Sequence, residues 1–236
     1  GLSGVKTISS NQYAFAALKE DGTVVAWGRS IYGGEGVGLS GVKTIYSTKG
    51  AFAAIYGDND AVAAWGALEY GGNASHIQQL TGVTAIYSNE GAFAALKADG
   101  TVASWGKYIG NNGGSGVPTG LTDGTKTVTA IFSTHEAFAA LKEDGTVAAW
   151  GAATYGGDNV PTELTDGSET VTAIYSTERA FAALTLDGNV YAWGHGSYGG
   201  NGVSTYLTDG TKTVTAISST QRAFAALTSD GMVYVW

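Results

Sequence analysis

Six tryptophans at near-even spacing constrain this chain more than any other feature. Trp27, Trp65, Trp105, Trp150, Trp193 and Trp236 stand 38, 40, 45, 43 and 43 residues apart. Each closes the same phrase, which opens Ala14-Phe15-Ala16-Ala17-Leu18 in the first copy and returns from Ala51, Ala92, Ala137, Ala180 and Ala223. A β-branched segment precedes each phrase, beginning at Val5, Val42, Val83, Val128, Val171 and Val214. A period of about 40 residues means one supersecondary unit, repeated, that buries its apolar faces against its neighbours. The repeats run 5–41, 42–82, 83–127, 128–170, 171–213 and 214–236 with 1–4, and a single domain over 1–236 is expected.

Each unit reads as strands. Val171 to Ser176 is β-branched, Ala180 to Leu184 follows a short polar turn, and Asn189 to Trp193 follows Asp187-Gly188. Asp-Gly between apolar runs is a hairpin signal, because Gly supplies positive φ without strain. It stands in five of six copies; the second has Gly57-Asp58-Asn59-Asp60, one residue longer. Ala-Phe-Ala-Ala-Leu-Lys has helical propensity, but about seven residues between turns is short for a helix and right for a strand. About four short strands per unit and almost no α-helix are expected. The 37 glycines, with only two prolines, agree with many tight turns.

The fold class predicted is all-β, a β-propeller of six blades closed between the N- and C-terminal repeats. A linear stack needs polar caps at its ends, whereas here the first and last copies match the middle ones. The chain stops at Trp236 and starts at Leu2-Ser3-Gly4, the counterpart of Leu39-Ser40-Gly41, a staggered cut suited to ring closure. The opening at Gly1, without Met or a signal-like segment, reads as an excised domain or processed fragment.

Ala-Leu, an acidic Asp-Gly turn and a hydrophobic run ending in Trp-Gly, as in Leu141-Lys142-Glu143-Asp144-Gly145-Thr146-Val147-Ala148-Ala149-Trp150-Gly151, resembles the regulator-of-chromosome-condensation repeat family. Its bacterial branch, which includes the propeller-type β-lactamase inhibitory protein, is the more similar. The resemblance runs the whole chain and implies a β-propeller, commonly of seven blades in that family. The eukaryotic members usually carry His-Thr ahead of Ala-Leu, where this chain has Ala14-Phe15 and Ala137-Phe138. The nucleotide exchange of the type member is therefore not implied.

Little in the sequence suggests catalysis. His76, His135 and His195 fall at non-equivalent places without metal-ligand spacing, and Asp58-Asn59-Asp60 lacks the downstream Glu of a calcium loop. Gly110-Asn111-Asn112-Gly113-Gly114 matches no phosphate-binding loop. Glu20-Asp21 belongs to turn chemistry, and no nucleophile elbow is present. Cysteine is absent, which removes disulfides and thiolate sites. No cofactor, no metal and no enzyme activity are expected. The net charge of −8 without a basic run argues against nucleic acid, and no apolar stretch reaches the roughly 18 residues of a membrane span. The Trp, Phe and Ala positions read as blade-to-blade packing rather than a ligand-stacking ring.

The copies differ mainly in two turns. One follows the first strand and supplies Tyr13, Lys49, Glu90, His135, Glu136, Glu178, Arg179, Gln221 and Arg222. The other follows Trp-Gly and supplies Arg29, Tyr32, Glu69, Tyr70, Lys107, Tyr108, Tyr155, His195 and Tyr198. In an up-and-down blade both lie at one end and Asp-Gly at the other. Tyr with scattered Arg is the composition of recognition surfaces. The function expected is therefore a non-enzymatic protein-binding module, monomeric, extracellular or at a bacterial cell surface. The alternative is a lectin-like glycan-binding adhesion module with Tyr32, Tyr70, Tyr155 and Tyr198 as stacking platforms. Repeats four to six are entered through longer links, such as Leu121-Thr122-Asp123-Gly124-Thr125-Lys126-Thr127, which read as extended hairpin turns at the uniform end.

Overall fold

The structure is a computed structural model describing residues 1–35, 37–73, 77, 79–106 and 114–236. The chain falls into two compact units, Gly1–Ser115 and Gly116–Trp236, with three repeats each. In the first unit the strands are Val5–Ser10, Ala14–Lys19 and Val24–Gly28, then Val42–Ser47, Ala51–Tyr56 and Ala61–Gly66, then Val83–Ser88, Ala92–Lys97 and Val102–Gly106. In the second they are Val128–Ser133, Ala137–Lys142 and Val147–Gly151, then Val171–Ser176, Ala180–Thr185 and Val190–Gly194, then Val214–Ser219, Phe224–Thr228 and Val233–Val235. Every repeat is its own antiparallel sheet in the order first, second, third strand.

Among the described residues each repeat has three strands, a correction to the four expected. The expected fourth strand had no segment assigned to it, and the stretch after Trp-Gly has no β-branched run that could supply one. It turns instead through one 3₁₀ turn, such as Ser30–Tyr32 or Ala153–Tyr155, ended by a left-handed glycine. The helical content is as low as expected: one four-residue α-helix, Thr119–Thr122, among the described residues. No described strand pairing joins repeat one to repeat six, so the expected closure is not among the hydrogen bonds of the sheets.

The hairpin turn also differs from a simple two-residue Asp-Gly turn. Gly22 N–H donates to the Lys19 carbonyl, Lys19 N–H to the Thr23 carbonyl, and only Gly22 has positive φ (78°). This is a type I turn followed by a glycine bulge. Asp21 serves it through its side chain, which accepts hydrogen bonds from both the backbone N–H and the hydroxyl of Thr23.

Each first strand carries a second irregularity with a packing purpose. Val42 and Ile45 are three apart and would face opposite sides of a regular strand. A register shift between Val42 and Thr44 turns both to one face, where they join Phe52 and Trp65 against Ala14, Ala16, Leu18 and Val24 of repeat one. The same shift recurs in the other repeats, as between Val214 and Ala216. Phe52 pairs with Trp65 across the strands, their rings stacked 5.3 Å apart, and the alanines opposite let the two sheets approach.

The indole N–H groups settle what the tryptophans do. Trp65 donates to the Gly33 carbonyl of the preceding repeat at 3.3 Å, Trp105 to Gly71 at 3.1 Å and Trp193 to Gly156 at 3.0 Å. Gly33 has φ 90°, and a Cβ there would lie 2.8 Å from Trp65 Cδ1, so glycine is required twice over. Trp27 and Phe15 depart from the packing expected of all six copies: they are 37% and 45% exposed. Their phrase matches the other five.

The longer links of the second unit do more than extend a turn. Leu121, Leu164 and Leu207, each in a short helical turn of such a link, are fully or almost fully buried. Leu164 plugs the apolar layer between repeats four and five, and Leu207 that between five and six.

Candidate functional site

The site is built on the turn after each first strand. A polar residue opens that turn and ties two loops together. Asn11 Oδ1 accepts from Tyr13 and Ala14 N–H at 2.8 Å, while its amide donates to the Tyr32 carbonyl at 2.8 Å. Thr48 accepts from Ala51 N–H and donates to the Tyr70 carbonyl at 2.8 Å; Thr177 repeats this with Ala180 and Tyr198. These threonines are buried polar groups whose hydroxyls are satisfied within their own repeat. They hold the post-tryptophan loop beside the first turn, so both varied segments share one end of repeats one, two, four and five. These residues lie outside the expected set, although a Thr or Asn stands at the head of every varied turn.

Successive turns are then chained by their backbones. In the first unit Gln12 N–H donates to the Lys49 carbonyl and Lys49 N–H to that of Glu90. In the second, His135 N–H donates to Glu178 and Glu178 N–H to Gln221. Within each unit these chained turns share one backbone pattern, and their side chains distinguish them.

In the first unit Tyr13 lies against Tyr32, ring centres 4.2 Å apart, with the Arg29 guanidinium 5.2 Å from the Tyr13 ring. Lys49 Nζ is 2.5 Å from Glu90 Oε1, and that carboxylate raises the lysine pKa. Tyr70, its phenol pKa raised by burial, packs over Gly50 together with Tyr32. Glu69 is exposed beside it, and Ile31 and Leu68, both 68% exposed, add apolar tips absent from the expected set.

The second unit carries a more ordered arrangement. His135 stacks 6.1 Å from Tyr155; the Arg179 guanidinium lies 4.8 Å from the Tyr155 ring and 4.9 Å from Tyr198; Arg222 lies 5.2 Å from Tyr198. Cation and ring alternate across three repeats, a favourable electrostatic arrangement. His195 meets Tyr198 edge-on at 5.2 Å. Glu178 fixes the row from below, accepting from Gln221 Nε2 at 2.5 Å and Arg179 Nε at 3.2 Å. Those bonds, Gln221 first, hold its carboxyl below the usual carboxylate range. Glu136 is half-buried and contributes its carbonyl to Ala152 N–H. Lys107 and Tyr108, together with His76 and the glycine-rich 110–113 segment, lie outside the described residues.

The opposite end holds the hairpin turns. Asp21 is kept down to about 2 by the Thr23 hydroxyl and backbone, and Asp230 to about 2 by Lys212. Lys126 pairs with Asp144 at 3.0 Å. These carboxylates are engaged by their own turns and, at Asp144 and Asp230, by lysines of the preceding links.

No protein-family model matches the chain, and no curated protein does. Solved structures match the fold. The ectodomain of the receptor kinase CR4 from the moss Physcomitrella patens superposes with a TM-score of 0.57 at 17% identity, covering 98% of this chain and 61% of that one. Human WBSCR16 gives 0.56 at 18%, covering 100% and 77%. Yeast RCC1 (Prp20), solved bound to Kap60, gives 0.55 at 17%, covering 98% and 69%. The fold is an RCC1-like β-propeller fold. At these identities the likeness extends to architecture alone, and the chain spans about three fifths of the moss ectodomain.

Proposed function

We propose that the chain is a non-catalytic binding scaffold whose varied loop end takes a protein partner. The observation that carries this reading is the row His135–Tyr155–Arg179–Tyr198–Arg222, in which long side chains are held in place before any partner arrives. Ordering Arg and Tyr in advance lowers the entropic cost of association, and these residue types dominate interface hot spots. Two solved structures of similar fold support the reading by what they bind: yeast RCC1 was solved with Kap60, and Prp20p from Saccharomyces cerevisiae is described with its binding to Gsp1p and histones.

The glycan alternative loses support from the same contacts. Sugar stacking needs an open aromatic face, yet Arg179 lies against both Tyr155 and Tyr198, and Tyr13 lies against Tyr32. The bacterial, extracellular setting implied by the repeat resemblance belongs to this proposal, as partner recognition at a cell surface. The test is quantitative capture of proteins from cell extract and culture medium. A set retained by wild type and by Lys126→Ala, and lost with Arg179→Ala combined with Tyr198→Ala, supports the proposal. Loss confined to Lys126→Ala overturns it, as does glycan-array binding abolished by Tyr155→Ala.

A further inference from the structure

The residue just ahead of each Ala-Phe-Ala-Ala phrase differs along the chain: Tyr13, Gly50, Gly91, Glu136, Arg179 and Arg222. In repeat five it is Arg179, whose guanidinium lies over two rings at once, 4.8 Å from the centre of Tyr155 and 4.9 Å from that of Tyr198. Repeat two has the equivalent rings, Tyr32 and Tyr70, on equivalent loops. Asn11 and Thr48 bond the Tyr32 and Tyr70 carbonyls at 2.8 Å, as Thr134 and Thr177 bond those of Tyr155 and Tyr198 at 2.8 and 2.9 Å. The side chain that would lie on these rings is missing, because Gly50 stands in the place of Arg179.

The backbone does not call for this glycine, since Gly50 is not among the positive-φ residues. The rings use it instead. A Cβ at Gly50 would lie 2.6 Å from Tyr70 Cδ2 and 2.9 Å from Tyr32 Cδ1, so both rings border the space that the arginine stem fills in repeat five. Tyr32 lies against Tyr13 and makes no ring contact with Tyr70, so the two rings flank the glycine without meeting. The charge around them suits a cation. Lys49 is taken up by Glu90 at 2.5 Å, and Glu69 is exposed beside Tyr70. Burial raises the Tyr70 phenol pKa first, Lys49 opposes it, and Glu69 and Glu90 add to the rise, which places both carboxylates near this ring. All of these residues belong to the first unit.

We propose that Tyr32 and Tyr70 receive an arginine side chain of a protein partner, held over Gly50 as Arg179 is held over its own two rings. The inference rests on the reading of the varied end as a binding surface and gives that surface a ligand chemistry, an exposed basic segment. A guanidinium is planar and more weakly hydrated than an ammonium, so it settles on aromatic faces at the lower desolvation cost. The two rings open to the setting of Tyr155 and Tyr198 as it enters. Glu69 and the net charge of −8 favour the approach of a basic segment.

Fluorescence anisotropy with a labelled tetra-arginine peptide tests this, beside tetra-lysine and tetra-glutamate. Arginine is expected to bind most tightly, lysine about fivefold more weakly, and glutamate not at all. Gly50→Gln fills the place of the Arg179 stem without adding charge, and should weaken the arginine probe about tenfold or more. Tyr32→Leu combined with Tyr70→Leu should do the same, and circular dichroism verifies that both proteins fold. Asp58→Asn, which removes a carboxylate from the hairpin turn of the same repeat, is expected to bind like wild type. Glutamate bound as well as arginine, a Gly50→Gln protein that binds like wild type, or an equal loss with Asp58→Asn overturns the proposal. Free arginine amide that binds as tightly as the peptide overturns its assignment to a protein segment. Partner capture from extract that survives such a failure leaves the scaffold reading standing, since that reading rests on Arg179 and Tyr198.

Discussion

Phe93 with Trp105 and Phe15 with Trp27 are the same phrase in two surroundings. Both pairs stack across their strands, at 5.2 and 5.4 Å. Phe93 is fully buried and Trp105 is 2% exposed, because repeat two lies against them; Phe15 and Trp27 keep a large part of their surface. The difference shows that a repeat specifies its own sheet and both of its faces, but not whether a face is covered. Coverage comes from the neighbour, and with it most of the stabilisation, since apolar surface contributes in proportion to what leaves water.

The sharpest way to break this comparison is truncation. Trp105→Ala is expected to destabilise by about 3–5 kcal/mol, the usual loss for a buried Trp, and additionally strands the Gly71 carbonyl. Trp27→Ala should lose less, about 1–3 kcal/mol, since 37% of its surface already faces water. Urea denaturation of the two variants decides. Equal losses would mean that Trp27 is covered in solution, and a loss under 1 kcal/mol at Trp105 would mean that the phrase is not core.

A smaller contrast sits in the varied turns. Thr177 is buried and bonds both Ala180 N–H and the Tyr198 carbonyl, whereas Thr220 in repeat six is exposed and bonds Ala223 and Arg222 within its own turn. Thr177→Val keeps the shape and leaves two partly buried groups without their partner, which costs about 1–3 kcal/mol. It should also loosen the loop carrying Tyr198 and weaken partner capture. Thr220→Val is expected to fall within about 0.5 kcal/mol of wild type, because water replaces the hydroxyl. Thermal melts of both variants check the pair, and a larger loss at Thr220 would refute it.

How much of this was legible beforehand follows from the same logic. Strands, turns and the shared end of the varied loops could be read, because each depends on alternation and glycine placement within one repeat. The three-strand count could not: three strands per unit were readable, and the fourth that was expected had no segment of its own. Leu164 and Leu207 hid in links that looked like polar turns, because one apolar residue in a polar run carries no period. The alternation of Tyr155, Arg179, Tyr198 and Arg222 was present as composition, but which ring meets which guanidinium depends on two loops brought together by Thr177 and Thr134. The exposure of Phe15 is invisible in a sequence whose first phrase matches the others.

The smallest expected effect, and the most specific, is at Tyr191. In repeat five the third strand places its phenol 3.0 Å from Glu169 Oε1, a carboxylate that also accepts from Asn189 at 3.1 Å. Repeats three and four have Ala103 and Ala148 at the same position, so this pair is a local addition to a uniform strand. Burial first, then the bond to Glu169, pushes the phenol from 10.0 up to about 12. The folded state therefore holds the proton more tightly than the unfolded chain. The resulting stability is complete below pH 10 and is lost as pH rises through about 12. Tyr191→Phe keeps the ring and removes the titration, and the other tyrosines cancel between the two proteins. The urea midpoint of wild type minus that of Tyr191→Phe should therefore be constant up to pH 10 and shrink steadily towards pH 12. A difference that stays level across that window would mean that Tyr191 titrates alike in the folded and unfolded chain, and that its bond to Glu169 does not hold the proton.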